Sequence, residues 1–297
     1  MTGSLIFIIG YCAVFLVLLF GAAAWRKKNR KTRAPFPDNT RLLRGPGETL
    51  RRKLSALDEQ IVYELLAAFV VPLAVGSALA WIATHVTGHA QIAWLIAAAL
   101  GLLISLVLVI RHLIVCLERW SNTHLGSFGE RIVAESLEPL KADGFRIFHD
   151  VPAGDAKNPF NIDHVIVGPS GVFAIETKTR RKGRARAGFA EHQIIYDGNV
   201  LAYPWGEDRH GLDQAQRQAA WLRAWLKQLL GQPIPVQPIL TFPGWMVISR
   251  AHGEVTVLNP KQIPSAVAIR GGTPALDDRQ LDLIARQLDV RCRDVEF

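Results

Sequence analysis

The sequence predicts an α/β domain, with helices packed around a mixed β-sheet, that follows helices long enough to cross a membrane. Two short segments, 164–167 and 172–175, are apolar on both faces and flank the turn Gly168-Pro169-Ser170-Gly171, which is typical of a buried β-hairpin with a four-residue loop. Amphipathic helical patterns precede and follow this hairpin. Long uncharged runs occupy much of the first 117 residues.

The first 25 residues predict a transmembrane anchor. Leu5–Trp25 is 21 residues without a charge, which is long enough to span a bilayer. Basic residues follow this run instead of preceding it, which favours an anchor over a cleaved signal peptide. The same charge order places the N-terminus outside and residue 26 onward in the cytoplasm. Residues 26–60 are then a basic cytoplasmic linker punctuated by proline and glycine.

Residues 61–117 predict a transmembrane helical hairpin. The apolar runs Leu65–Ala83 and Ile92–Ile110 are separated by a short polar loop, and Arg111 and Arg119 favour a cytoplasmic exit. The alternative is a single anchor at residues 1–25, with this hairpin buried as a helical pair inside the protein. The favoured topology is a multi-pass protein of the inner (cytoplasmic) membrane, with residues 118–297 forming a cytoplasmic domain.

The net charge of +8 is unevenly distributed. Residues 26–60 hold eleven lysines and arginines against four acidic residues, whereas residues 126–297 hold 21 against 20. The basic excess is therefore a topology signal and does not by itself indicate a nucleic-acid partner. The three cysteines have no metal-binding spacing, which fits a reducing compartment.

The cytoplasmic segment alternates helical and strand patterns, as expected for an α/β sandwich. The predicted elements are a helix at 129–140, a strand at Phe145–Val151, a loop at 152–160, the hairpin, a helix at Leu212–Leu230, strands at Val236–Phe242, Trp245–Ser249 and Glu254–Leu258, and a closing helix at Asp277–Leu288.

The hairpin brings two carboxylates together. If the strands pair symmetrically about the turn, Asp163 faces Glu176, with their Cβ atoms about 4.5–5.5 Å apart. Lys178 lies on the same face, whereas strand alternation directs His164 to the other. Facing carboxylates repel unless a cation or a proton lies between them. The pattern favours a divalent-metal site beside a lysine; the alternative is a charged pair at an exposed hairpin end.

These residues resemble those of a known family. Gly129-Glu130 on a helix, Ile162-Asp163-His164-Val165 and the run from Gly171 to Glu176 and Lys178 are similar to the nuclease-related domain, NERD, over roughly residues 124–245. That family is placed among the restriction-endonuclease-like PD-(D/E)xK proteins. The resemblance implies an α/β/α sandwich, with Asp163, Glu176 and Glu130 as ligands of Mg²⁺ or Mn²⁺ and Lys178 as the catalytic lysine. It also gives Glu130 a place in the catalytic cluster.

Candidate nucleic-acid contacts lie next to this cluster. The basic run contains Arg180, Arg181, Lys182, Arg184 and Arg186, which would either reach phosphates or form a solvated loop. Gln214 and Gln218 are one helical turn apart, and the favoured interpretation is a solvated helix face. The alternative places them near the active site, with Gln214 as a nucleic-acid contact. His149 and Asp150 are interpreted as structural.

The leading hypothesis is a membrane-anchored nuclease that hydrolyses phosphodiester bonds with Mg²⁺ or Mn²⁺. Its expected partners are the lipid bilayer and nucleic acid, with DNA expected before RNA. A second hypothesis is a catalytically silent nuclease fold that binds nucleic acid or a protein at the membrane. A third makes the membrane segment primary, as a transporter or sensor, but the apolar runs contain few ionisable residues. The oligomeric state stays open.

Overall fold

The computed structural model describes residues 40–269 and 276–296, together with scattered helical positions between residues 14 and 25. It divides into two compact units, 42–295 and a smaller unit of residues 1–41 with 296–297. The described positions of the smaller unit before residue 40 are helical. The remainder of the predicted anchor at 1–25, and residues 26–39 of the predicted linker, lie outside the described residues.

Strands and helices alternate along the larger part of the chain. In chain order, the strands are β1 (Arg41–Leu43), β2 (Arg146–Gly154), β3 (Pro159–Gly168), β4 (Gly171–Thr177), β5 (Gln193–Tyr196), β6 (Leu201–Tyr203), β7 (Gly206–Asp208), β8 (Val236–Thr241), β9 (Met246–Ser249), β10 (Thr256–Leu258) and β11 (Arg293–Glu296). The α-helices are α1 (Glu48–Ala83), α2 (His89–Leu137), α3 (His210–Leu230), α4 (Ile263–Ile269) and α5 (Asp278–Cys292).

The central sheet is mixed, with strand order β10-β8-β4-β3-β2. β10, β8 and β4 are parallel neighbours, whereas β4, β3 and β2 are antiparallel. His164 pairs with Ile175 and Val165 with Ala174, which confirms the predicted register of the hairpin. The predicted four-residue loop is wrong: Gly168 pairs with Gly171, so only Pro169 and Ser170 form the turn. Gly171 has φ of 125°, a backbone conformation that favours glycine.

Helices cover both faces of this sheet, which confirms the predicted sandwich. On one face, Val165, Val167, Val172 and Ala174 pack in a cluster with side chains of α3 and α5. On the other face, Ile166, Phe173 and Ile175 pack against the end of α2 and against α4. The hairpin is apolar on both sides because both of its faces are covered.

A second sheet, in the order β7-β6-β5-β9, lies beside the first and was not predicted apart from β9. Its strands contribute Ile194, Tyr196, Leu201 and Tyr203 to a third apolar cluster, together with side chains from α3 and the central sheet. Strands of three or four residues are too short to show a clear alternating pattern.

Helices α1 and α2 form the predicted hairpin, and both are long and apolar enough to cross a membrane. Within the described residues there are two such helices and not the three that were predicted; the third prediction falls on residues 1–25. Only 11% and 6% of their most apolar windows are buried, so they are not the buried helical pair of the alternative interpretation. Apolar side chains that the described residues leave largely exposed suit a lipid environment.

Several predicted boundaries in this part of the chain are wrong. α1 begins at Glu48, inside the segment 26–60 that was predicted as a linker. The predicted helix at 129–140 is the last part of α2, which continues without a break from the apolar hairpin to Leu137 because no proline interrupts it. The predicted loop at 152–160 is shorter, since β2 extends to Gly154 and β3 begins at Pro159.

The chain just before and within the first turn of α1 is anchored to β2 of the central sheet through Asp150. Arg44 Nη1 donates to the carbonyl oxygen of Asp150 at 3.1 Å and lies 3.2 Å from its Oδ2. Both the amide and the hydroxyl of Thr49 donate to the same Oδ2, at 2.8 and 2.6 Å. Asp150 has φ of 47°, which is unusual for a residue other than glycine, and these bonds stabilise that conformation. A fragment that begins at residue 125 would lack Arg44 and Thr49.

Arg44→Ala is expected to lower the free energy of unfolding by about 3–5 kcal/mol, because it leaves the buried Asp150 carboxylate without its cation. Thermal or denaturant unfolding of the full chain in detergent micelles measures the change. Arg286→Ala is the matched control: that side chain is 77% exposed and pairs with Asp282, so its loss should cost less than about 1 kcal/mol. Equal losses in the two variants would contradict this account of Arg44.

Candidate active site

Asp163 and Glu176 lie where the pairing between β3 and β4 ends. The last ladder pair is His164 with Ile175, so the next opposed positions are those of the two carboxylates. Asp163 Oδ2 accepts a hydrogen bond of 2.7 Å from the amide of Thr177. Glu176 is only 2% exposed. Glu176 is therefore buried and Asp163 is partly buried, and the alternative of an exposed hairpin end is wrong.

Each oxygen of Glu176 has its own partner. Lys178 Nζ lies 2.6 Å from Oε1, and Gln218 Nε2 donates to Oε2 at 2.6 Å. Lys178 Nζ also donates to Gln214 Oε1 at 2.7 Å, so the ammonium is held between a carboxylate and an amide. Gln218 Nε2 further donates to the Asn161 carbonyl at 3.2 Å. These bonds fix the carboxylate and the lysine relative to each other.

Both glutamines of α3 contact this cluster, so the solvated-face interpretation favoured from the sequence is wrong. Gln218 is buried, and Gln214 binds the lysine. The one-turn spacing of these residues was the available signal, but it could not show which face of α3 meets the sheet. Sequence reasoning also missed Asn161, whose side-chain amide donates to Asp150 Oδ1 at 2.8 Å and so ties the site to the Arg44 network.

Glu130 reaches the site from α2. It is buried, and the nearby amide of Gly47 lowers the pKa of its carboxyl group, against the larger effect of burial. The preceding residue, Gly129, allows the helix to approach the loop after β4, because a Cβ there would lie 2.3 Å from Thr179 Cγ2. The Gly-Glu pair that supported the family resemblance thus has a physical role: the glycine permits close packing, and the glutamate follows it into the cluster.

Burial and mutual repulsion perturb the carboxyl groups. Burial raises the pKa of Asp163 well above its usual range, and the charges of Glu176 and Glu130 raise it further. Burial also raises the pKa of Glu130 to about 8, with the charges of Asp150 and Glu176 as further causes. Lys178 opposes both shifts. At neutral pH the cluster therefore retains protons that isolated carboxyl groups would release.

The donor chemistry of this cluster fits a hard divalent cation. Asp163, Glu176 and Glu130 offer only oxygen atoms, the ligand type that Mg²⁺ and Mn²⁺ prefer. Two buried oxygens beside them, Gln218 Oε1 and Thr177 Oγ1, have no hydrogen-bond partner among the residues that the structure describes. Within the described residues, however, no three histidine, cysteine or acidic side chains are gathered closely enough to hold an ion. The residue types fit a metal, while Lys178 is the cation that contacts Glu176.

The basic run after Lys178 is an exposed loop with internal partners. Arg180 lies 3.7 Å from Asp208 and over the Tyr203 ring, and Arg186 lies 3.4 Å from Glu207. Arg181 Nη2 donates to Ser121 Oγ at 2.7 Å, and Lys182 Nζ lies 5.7 Å from the centre of the Trp245 ring. Arg184 has no ion-pair partner in the part of the chain that the structure describes. Such exposed pairs contribute little stability and leave these cations available to a ligand.

His164 lies on the face away from Asp163, as strand alternation predicted. It is fully buried, and its Nδ1 lies 2.8 Å from Nδ1 of His149, the residue paired with it across β2 and β3. One ring must donate and the other accept at this distance, so at least one nitrogen of the two is deprotonated. The pair is a structural contact between the strands, which agrees with the structural interpretation of His149.

The α/β fold with its mixed sheet is consistent with a nuclease-like domain. Residues 125–243 match the family model for the nuclease-related domain, NERD, and the resemblance seen in the sequence is thereby confirmed for this segment. The matched segment contains Glu130, Asp163, Glu176, Lys178 and both glutamines. Comparisons with curated proteins and with solved structures returned no significant match.

The histidine pair contributes to the free energy of unfolding in a way that depends on pH. Burial lowers the pKa of His149 to about 4, and burial with the charge of His149 lowers the pKa of His164 well below its usual range. A histidine in the unfolded chain has a pKa near about 6.5, so between about pH 6.5 and 4 the unfolded state binds more protons. The contribution of the histidine pair to stability should therefore fall as the pH falls through this window, whereas Glu130 and Asp163, whose pKa values are raised, contribute in the opposite direction.

His149→Gln keeps a hydrogen-bonding amide beside His164 but cannot be protonated in this window. Thermal unfolding in buffered detergent measures the unfolding temperature of this variant relative to that of the unmodified chain. We expect this difference to be more favourable to the variant at pH 5 than at pH 7. The exposed His252 supplies the control, and His252→Gln should reproduce the unmodified pH dependence. The same acid sensitivity in all three proteins would contradict the assignment to the buried pair.

Proposed function

We propose that this chain is a membrane-anchored nuclease that hydrolyses phosphodiester bonds of nucleic acid with the help of a divalent cation. The observation that carries the proposal is the contact of Lys178 with Glu176, beside Asp163 and Glu130. These residues meet where the pairing of two inner strands ends, in a nuclease-related domain. Of the two nucleic acids, DNA is the first substrate to test.

Asp163, Glu176 and Glu130 would hold the cation, and Mg²⁺ or Mn²⁺ bound there would supply a nucleophilic hydroxide and neutralise charge on the phosphate. Lys178 provides a positive charge that can orient water or stabilise developing negative charge. Gln218 and the amide of Thr177 hold Glu176 and Asp163 in place. Gln214 holds the lysine, which makes it a positioning residue at least as much as a contact for nucleic acid.

A membrane location at the cytoplasmic face is part of the same proposal. It is supported by α1 and α2, which are exposed, apolar and long enough to span a bilayer. Arg111 and Arg119 follow the second apolar run, as expected for a cytoplasmic exit. With residues 1–25 as a further span, the chain would be a multi-pass protein of the inner (cytoplasmic) membrane.

A catalytically silent nuclease fold is the second candidate, and one observation favours it. Within the described residues no three metal-binding side chains are gathered, and Lys178 already neutralises Glu176. Such a protein would bind nucleic acid or a protein partner without cleaving it.

The full chain in detergent micelles should cleave DNA or RNA in the presence of Mg²⁺ or Mn²⁺ and not in the presence of a chelator. Asp163→Asn and Lys178→Ala should each lower the cleavage rate by about 100-fold or more, because they remove a metal ligand and a charge beside the reacting phosphate. Glu135→Gln is the control on the exposed side of α2 and should retain activity. Cleavage that survives both site substitutions, or that needs no metal, would overturn the proposal.

Calorimetric titration with Mg²⁺ separates the two candidates. A nuclease should bind the ion with an affinity that falls at least about tenfold in Asp163→Asn and in Glu176→Gln, because each removes an anionic ligand. Nucleic-acid binding without any ion binding that depends on these residues would support the silent fold instead.

The membrane assignment predicts that the chain sediments with membranes and resists extraction by alkaline carbonate, since its spans are held by burial of apolar surface. Release by non-ionic detergent is expected. Recovery of the chain in the carbonate supernatant would contradict the spans.

A further inference from the structure

A cleft of about 690 Å³ lies beside the carboxylate cluster. Glu130 and Asp163 line it, together with Phe160 and Asn161 at the start of β3, and a further part of the lining comes from the first turns of α1. The volume is in the range of pockets that bind small ligands or a few linked groups. The part of α1 that lines it lies outside residues 125–243, the segment that matches the nuclease-related domain.

The lining contributed by α1 carries positive charge. Arg52 and Lys53 both line the cleft, and both side chains are exposed. Arg52 lies 3.0 Å from Glu48 Oε1 and 3.1 Å from Asp294 Oδ1, and its exposed guanidinium retains free donors. Lys53 has no ion-pair partner among the described residues. Arg44 also lines the cleft, but it is largely buried and committed to Asp150 and Asp294.

Carboxylates and exposed cations in the lining of one cleft are complementary to a phosphodiester approaching a metal site. The carboxylates alone would repel the phosphate, whereas the cations of α1 would attract it and hold it beside them. None of the basic residues of the 180–186 loop lines this cleft. For a strand that enters here, Arg52 and Lys53 are therefore the exposed cations of the cleft lining that can meet its phosphates.

We propose that Arg52 and Lys53 form a phosphate-binding wall, so that a nucleic-acid strand lies between the first turns of α1 and the start of β3. This inference rests on the proposed function and extends it, because it makes the helix leading into the membrane part of the substrate site. Phosphate contacts are independent of base sequence, so this wall confers affinity and position and no sequence preference.

The test measures binding apart from cleavage. Full-length protein in non-ionic detergent is titrated into a short fluorescein-labelled oligonucleotide in EDTA, and anisotropy gives the dissociation constant over a series of salt concentrations. Lys53→Ala should reduce the slope of log affinity against log salt by about 1 and weaken binding by about fivefold at physiological salt, equally for unrelated sequences. Lys53→Arg, which keeps the charge, should restore both values.

Lys227→Ala is the matched control, since it removes an exposed lysine of α3 that does not line the cleft. It should leave the slope unchanged. A slope for Lys53→Ala equal to that of the unmodified chain would overturn the wall, as would an unmodified chain that binds no oligonucleotide. Continued metal-dependent cleavage by Lys53→Ala with an unchanged slope would overturn the wall alone and leave the nuclease proposal standing. A reduced slope in a protein that never cleaves would support the wall and contradict hydrolysis.

Discussion

Buried carboxylates that face one another need a compensating positive charge, and this constraint organises the whole site. Asp163 and Glu176 are brought together by the register of one hairpin, whose two covered faces leave no freedom to slip. Lys178, two residues beyond Glu176 on the same strand face, supplies the nearest cation. The remaining elements of the domain supply the hydrogen bonds that this arrangement requires.

Three separate elements meet this requirement. α3 donates to Glu176 through Gln218, the end of β4 donates to Asp163 through the amide of Thr177, and the amide of Gly47, just before α1, favours the charged form of Glu130. The last contact extends the site beyond the nuclease-related segment. At about 1.5 Å per residue, the helix between Gly47 and the apolar run that begins near residue 61 places the site roughly 20 Å from the start of that run. The first turns of α1 therefore lie beside the site, and the same helix continues into the apolar run.

Much of the site could be predicted from sequence because it depends on local rules. Alternation and symmetry about a turn placed Asp163, Glu176 and Lys178 on one face and His164 on the other, since a strand has a fixed period of two residues. Glu130 came from a family resemblance, and the structure adds the reason that Gly129 precedes it, which is the close approach of Thr179.

The parts that could not be predicted depend on how elements dock. Gln218 looked like a residue on a solvated face because helical periodicity does not reveal which polar residue meets a buried carboxylate. The contacts of Arg44 and Thr49 with Asp150 join positions about one hundred residues apart in sequence, and no local pattern encodes such a pairing. The end of α2 looked like a separate helix because an amphipathic pattern replaces the continuous apolar run there. The backbone nevertheless continues as one helix.

The central claim is that the cluster around Asp163 and Glu176 is a metal site and not merely a neutralised charge pair. A crystal structure of the full chain grown with Mn²⁺, with the ion located by anomalous scattering, tests this claim most directly. The account predicts an ion bound by the carboxylates of Asp163 and Glu176. Anomalous density absent from the site, with Lys178 Nζ still in contact with Glu176 Oε1 at saturating Mn²⁺, would contradict it.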